Sequence, residues 1–229
     1  MGFNKNIENL HKLLINDTFN LHIQKCENFR YNFEDQIIDV SGYGLYDSNI
    51  PVRGLHHRFY LELNINGKTE GKTLVVIMMN PSNTFPAKED KPSTVDDTVK
   101  NIIRMAYRLG YYSKIVILNS FALINGNGKT AHPDNTQKQN LKIIESFIKE
   151  NKESDYLLAW GKNAYDINKI SKFLKDNIST DKFFVYRTSG LYQKYPCHPS
   201  KVVENRYKYV SEFLNSNETN TSFIRYVLP

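Results

Sequence analysis

Three places in the chain set polar side chains directly after a strand-like stretch. Asn80-Pro81-Ser82 follows Leu74, Val75, Val76, Ile77, Met78 and Met79; Asn119-Ser120 follows residues 115–118; and residues 183–186 lead through a loop into His198-Pro199-Ser200. The first run has no polar alternation, which is how a strand covered on both faces of a parallel sheet reads. In an open α/β sheet the ligand lies beyond the carboxyl ends of the strands, so three such endings would share one edge. Amide, hydroxyl and imidazole groups gathered there offer hydrogen bonds to a ligand. Taken singly, Asn80-Pro81-Ser82 reads as a strand-end turn and His198-Pro199-Ser200 as a loop with a helix cap. Only as a set do they point to a site.

Other chemistry is less well supported by spacing. Asn125-Gly126-Asn127-Gly128-Lys129-Thr130 ends like a phosphate-binding loop, but Leu123 stands where the pattern needs glycine and His132-Pro133 interrupts the helix that should follow. Cys197-His198 resembles a thiol–imidazole couple, yet adjacent residues point in different directions and no orienting third group is visible. His56 and His57 read as exposed loop histidines. With only Cys26 and Cys197, a four-cysteine zinc or iron–sulfur site is excluded, and a reducing compartment fits.

The elements that must position these residues alternate in type. Residues 58–65 read as a strand, and Asn66-Gly67 as a tight connection to the central strand. Asp96 or Asp97 opens a helix with Val99, Ile102, Ile103, Ala106 and Leu109 on one face, closed by Gly110. Loop 119–134 is long enough to suggest function. Thr136 and Gln139 form a capping box for a helix whose inner face is Leu141, Ile144, Phe147 and Ile148. Strand 155–160, helix 162–175 and strand 182–187 follow, then a last helix capped by Ser200 with Val203, Tyr207, Val210, Phe213 and Leu214 inward. Such alternation predicts an α/β fold: a three-layer α/β/α sandwich around a central four-stranded, mainly parallel sheet with right-handed crossovers. Residues 53–214 form this domain. Residues 1–52 are an extension containing a short helix and an edge strand, and 215–229 a tail.

The chain has 229 residues and a net charge of +6, with a pI near 9.1. That balance suits a polyanionic partner. No stretch reaches the roughly 18 apolar residues of a membrane span, so the expectation is a soluble cytoplasmic protein without a membrane partner.

In order along the chain, Met79-Asn80-Pro81-Ser82, Ile117-Leu118-Asn119, Leu157-Leu158-Ala159-Trp160-Gly161-Lys162-Asn163-Ala164 and His198-Pro199-Ser200 resemble the motifs of the uracil-DNA glycosylase superfamily. That superfamily has an Asp- or Asn-Pro motif, a strand ending in Asn, L-L-x-W-G-x-x-A and then H-P-S before a helix. The resemblance covers about residues 73–214 and is greatest to a bacterial and phage branch ending in N-P-S, known only as a domain of unknown function. It implies that Asn80 positions the attacking water and Asn119 hydrogen-bonds the edge of an extruded base. His198 would donate to a base oxygen and stabilise the charge that develops as the glycosidic bond breaks. Ser200 and Lys201, opening the last helix, would hold a DNA phosphate. Val202 or Val203 would fill the gap left by the nucleotide, and Phe85 would stack on the base.

Two departures bear on substrate. Asn80 cannot take a proton from water, so such a site would rely on leaving-group stabilisation and turn over slowly. Ser82 stands where the uracil-specific members carry a bulky Tyr, leaving room for a 5-substituted pyrimidine. The resemblance thus implies a monofunctional DNA glycosylase, a monomer needing neither metal nor cofactor, that leaves an abasic site. Defence against phage with modified DNA would follow. Two other readings stay open: a non-catalytic nucleic-acid binder of the same fold, and a hydrolase of free nucleosides or nucleotides.

Overall fold

In the computed structural model, which describes residues 21–33, 36–47, 57–65, 67–68, 70–81, 95–124, 136–161, 166–186 and 223–225, the apolar runs become the inner strands of one sheet. Its strands are β1 (Leu21–Phe33), β2 (Gln36–Asp47), β3 (Arg58–Ile65), β4 (Lys72–Met78), β5 (Tyr112–Asn119), β6 (Asp155–Ala159), β7 (Phe183–Tyr186) and β8 (Phe223–Arg225). The described helices are α1 (Asp97–Leu109), α2 (Gln137–Glu150) and α3 (Ile167–Asn177), with a 3₁₀ turn at Thr180–Lys182. The strand order is β1-β2-β3-β5-β4-β6-β7-β8. Four strands, β5-β4-β6-β7, run parallel, and the strands outside them pair antiparallel.

The lack of polar alternation in β4 is explained by what covers it. Leu74, Val76 and Met78 pack with Val99, Ile102, Ile103 and Ala106 of α1. Val75 and Ile77 belong to the opposite cluster, with Ile143, Ile144, Phe147 and Ile148 of α2 and Ile170 and Leu174 of α3. The two-sided cover follows from topology. The chain steps from β4 to β5 in one direction and then back over β4 to β6 in the other. Crossovers of one hand must then place the first helix on one face and the second on the other.

Local chemistry sets the ends of α1. The Asp96 carboxylate accepts from the Thr98 and Val99 backbone N–H groups at 2.9 and 3.2 Å, and Gly110 closes the helix at φ 79°, where a glycine is favoured. At the amino edge of the parallel strands Tyr112 Oη donates to Asp155 Oδ2 at 3.0 Å, and Lys72 Nζ lies 3.6 Å from the same oxygen. Burial first, and then the Asp155 charge, push the Tyr112 hydroxyl far above its ordinary range. This buried acid joins β4, β5 and β6 at the end away from the polar motifs.

Several expectations need correction. Among the described residues the sheet has eight strands, not four, although its parallel part does have four. Residues 21–47, read as an extension with one edge strand, supply both that edge strand, β1, and a second strand, β2, and β8 comes from the stretch read as a tail. The β2 pattern hid its burial, because Ile38 and Val40 point inward while Ile37 is exposed and glycines interrupt the alternation. At Gly42 a Cβ would sit 2.0 Å from the Glu62 carbonyl oxygen, so only glycine lets β2 pass β3 this closely. Gly67 makes a turn at φ 82°, but β3 pairs with β5 rather than with β4, which follows it in sequence. Thr136 makes no side-chain cap, so the capping box is absent. The last helix, from Ser200 onward, lies outside the described residues.

Replacing Asp96 with Ala removes the α1 cap. A loss of about 1 kcal/mol is expected, read as a lower urea midpoint at unchanged slope.

Candidate functional site

The three inner strands end level. Met78 is in register with Asn119 of β5 on one side and Ala159 of β6 on the other. Ser120 N donates to Met78 O at 2.8 Å and Phe121 N to Met79 O at 3.0 Å, with Ser120 Oγ also on Met79 O at 3.0 Å. These bonds carry the pairing one step past β4 before Pro81, which lacks an N–H, can no longer donate to it. Beyond that point the chain leaves β4 for the α1 face, whereas it leaves β5 and β6 for the face of α2 and α3. In open α/β sheets the usual ligand position is the carboxyl end of neighbouring strands whose connections go to opposite faces.

Asn80 and Asn119 are brought to this rim from neighbouring strands about 5 Å apart. Asn80 is half-buried and its Nδ2 donates to the Pro81 carbonyl at 3.3 Å. Asn119 is buried. Ser82, Phe85, His198, Ser200, Lys201, Val202 and Val203 lie outside the described residues. Trp160, part of a motif, is a core side chain, and Gly161 beside it turns the chain at φ 73°.

The rim also holds polar residues that the sequence did not single out. Because β3 runs antiparallel to β5, its first residue, Arg58, lies beside the end of β5: its N–H donates to the Ala122 carbonyl at 2.8 Å. Its side chain is wholly buried, and Nη2 reaches Asn119 Oδ1 at 3.5 Å. From the other face, Asn140 Nδ2 donates to the Asn119 carbonyl at 2.8 Å, and Gln137 Nε2 to the Ser120 carbonyl at 2.8 Å and to Asp166 Oδ2 at 2.9 Å. The first turn of α2 therefore holds the end of β5 through side-chain amides. Three buried side-chain amide atoms of this cluster have no hydrogen-bond partner: Asn119 Nδ2, Gln137 Oε1 and Asn140 Oδ1. A buried amide left in this state costs roughly 1–3 kcal/mol, so it is a place where a ligand or water would be welcomed.

Asp166 occupies the left-handed region at φ 50° and caps this arrangement from α3. Burial pushes its carboxyl up, but hydrogen bonds from Lys169 and Gln137 and the Lys169 charge outweigh that and hold it below the ordinary carboxylate range. His57, expected to be exposed in a loop, is bridged to Leu123; its Nδ1 lies 3.6 Å from Asp47 Oδ2 and its side chain is 13% exposed. Among the described residues no group of three or more His, Cys, Asp or Glu could hold a metal ion.

The site residues fell from view for one reason. Gln137 and Asn140 lie on the inner face of α2, where a periodicity reading looks for apolar residues, and Arg58 opens a strand that otherwise reads as apolar and aromatic. A polar residue at an inward position was the available signal.

A family model described as "Protein of unknown function (DUF1643)" matches residues 58–200. A search of the curated proteins finds no match. Among solved structures the chain is similar to acetyl xylan esterase 1 from Thermoanaerobacterium sp. JW/SL YS485, at 13% identity over 69% of this chain and a TM-score of 0.29. The chain spans about half of that esterase, 51% of its length.

Two outcomes test the cluster. Asn140→Ala leaves the Asn119 carbonyl without this donor, and a loss of roughly 1–3 kcal/mol is expected in urea unfolding. Because the Asp166 carboxyl is held low in the folded state, its contribution is present above the unfolded pKa of about 4 and is lost as pH falls through the lower folded value. Thermal unfolding should therefore separate wild type from Asp166→Asn at pH 6, with the gap closing towards pH 3.

Proposed function

We propose, from the premise that the chain belongs to the family described as Protein of unknown function (DUF1643), that it is a monofunctional DNA glycosylase of the uracil-DNA glycosylase type. It flips a 5-modified pyrimidine out of DNA, hydrolyses the N-glycosidic bond and leaves an abasic site. One observation carries the reading: Asn80 and Asn119, from two of the ordered motifs, stand at the ends of neighbouring parallel strands where the exits diverge. The α/β class, with helices on both faces of the parallel strands, supports it as well.

In this reading Asn80 orients the water and Asn119 reads the base edge. His198 donates to a base oxygen, so that negative charge on the departing base is met as the bond breaks. Asn80 has no basic lone pair for the proton of water, which makes leaving-group stabilisation the main source of rate. Ser82 leaves space at the pyrimidine 5-position, Phe85 stacks on the base, and Ser200 and Lys201 take a phosphate at the opening of the last helix. The net charge of +6 suits a duplex as partner. No described helix is long and apolar enough to cross a membrane; the proposed place of action is cytoplasmic, against phage DNA carrying modified bases.

Mass spectrometry of bases released from unmodified, uracil-containing and 5-modified duplexes tests this. Release from 5-modified DNA is expected, with Asn80→Ala and His198→Ala each lowering it by at least about 100-fold while DNA binding is retained. Release of uracil alone would remove the 5-substituted pocket, and no release from any duplex would remove the glycosylase.

A further inference from the structure

The contact between Arg58 and Asn119 bears on which base the site accepts. A primary amide offers a donor at one end and an acceptor at the other, and a 180° turn exchanges them. Unrestrained, such a group can read either of two opposite patterns. A guanidinium has only donors, so the end of the amide that faces Arg58 must be the oxygen. Arg58 Nη2 lies 3.5 Å from Asn119 Oδ1, long for a hydrogen bond, but both side chains are at most 1% exposed. Turning the amide over would set Nδ2 against a buried cation, donor to donor. The remaining end, Nδ2, is buried and has no partner.

We propose that Arg58 is a specificity-determining positioning residue: by fixing the amide of Asn119 in one orientation, it makes the site discriminate between pyrimidines with a carbonyl and those with an amino group at the 4-position. This deepens the glycosylase reading and rests on it. A 4-oxo pyrimidine presents an acceptor at O4 beside a donor at N3, and a 4-amino pyrimidine presents a donor beside an acceptor. One fixed amide complements one of these edges and sets like against like with the other. Leaving buried polar groups mismatched is what gives large discrimination, on the order of 100-fold or more. Arg58 acts through Asn119, so its removal should change the ratio between the two substrates more than the stability of the fold would explain.

The test uses the full chain and two otherwise identical duplexes, one carrying 5-hydroxymethyluracil and the other 5-hydroxymethylcytosine, which share their 5-substituent and differ at the 4-position. Single-turnover release rates for wild type should differ by about 100-fold or more. In Arg58→Met the amide is free to turn, and the ratio should fall at least tenfold towards unity. Arg58→Gln, whose side chain can meet either end of the amide, should act in the same direction if the methionine variant fails to fold. A wild-type ratio near one, or a strong wild-type ratio unchanged in a folded variant, overturns the proposal and leaves the glycosylase standing. Absence of release from both duplexes and from every other modified DNA overturns both.

Discussion

The structure depends on β4 being paired on both sides and covered on both faces. Leu74, Val75, Val76, Ile77 and Met78 are all 0% exposed, and burying each such side chain contributes roughly 1.5–3 kcal/mol. Such a strand has no room for chemistry along its length. Polar groups can appear only where it stops, and since β5 and β6 stop level with it, their endings gather at one rim.

The two ends of the parallel strands treat buried polarity differently. At the amino edge, the Asp155 carboxylate is met by the Tyr112 hydroxyl and faced by Lys72. In β3, Glu62 receives Tyr60 Oη at 2.7 Å and lies 3.6 Å from Lys114 Nζ; burial first, then the Glu62 charge, push the Tyr60 hydroxyl well up. Those groups are answered by their neighbours and act as structure. At the carboxyl end the amides of Asn119, Gln137 and Asn140 each keep one atom without a partner. The cost of these atoms is offset by the apolar burial of β4 together with the strands and helices that cover it, so the fold can carry them. These amide atoms are concentrated at one end of the parallel strands.

Orientation at this end is set from both faces of the sheet. Gln137 and Asn140 hold the backbone of β5 at its last carbonyls from the α2 side, while Arg58 addresses the Asn119 side chain from β3. Asp166 ties Gln137 to α3 and, through Lys169, to its own first turn. Asn119 is thereby held by groups from two elements distant in sequence, β3 at its side chain and α2 at its carbonyl, which fixes the end of β5 more closely than strand pairing alone.

The sequence by itself determined the strand and helix alternation, the four parallel strands and the apolar faces of α1, because periodicity and two-sided burial leave a direct mark on residue type. It also determined that Asn80 and Asn119 follow buried strands. An edge strand near residues 29–33 was legible, but only the tertiary structure decided that β2 and β8 also extend the sheet, since pairing is made by backbone groups every residue carries. It alone decided that β5 lies between β3 and β4, and that Arg58, Gln137 and Asn140 surround Asn119. Those residues are polar at inward positions, and whether such a position is an exposed face or a buried site depends on which strand packs against it, a relation that local sequence does not encode.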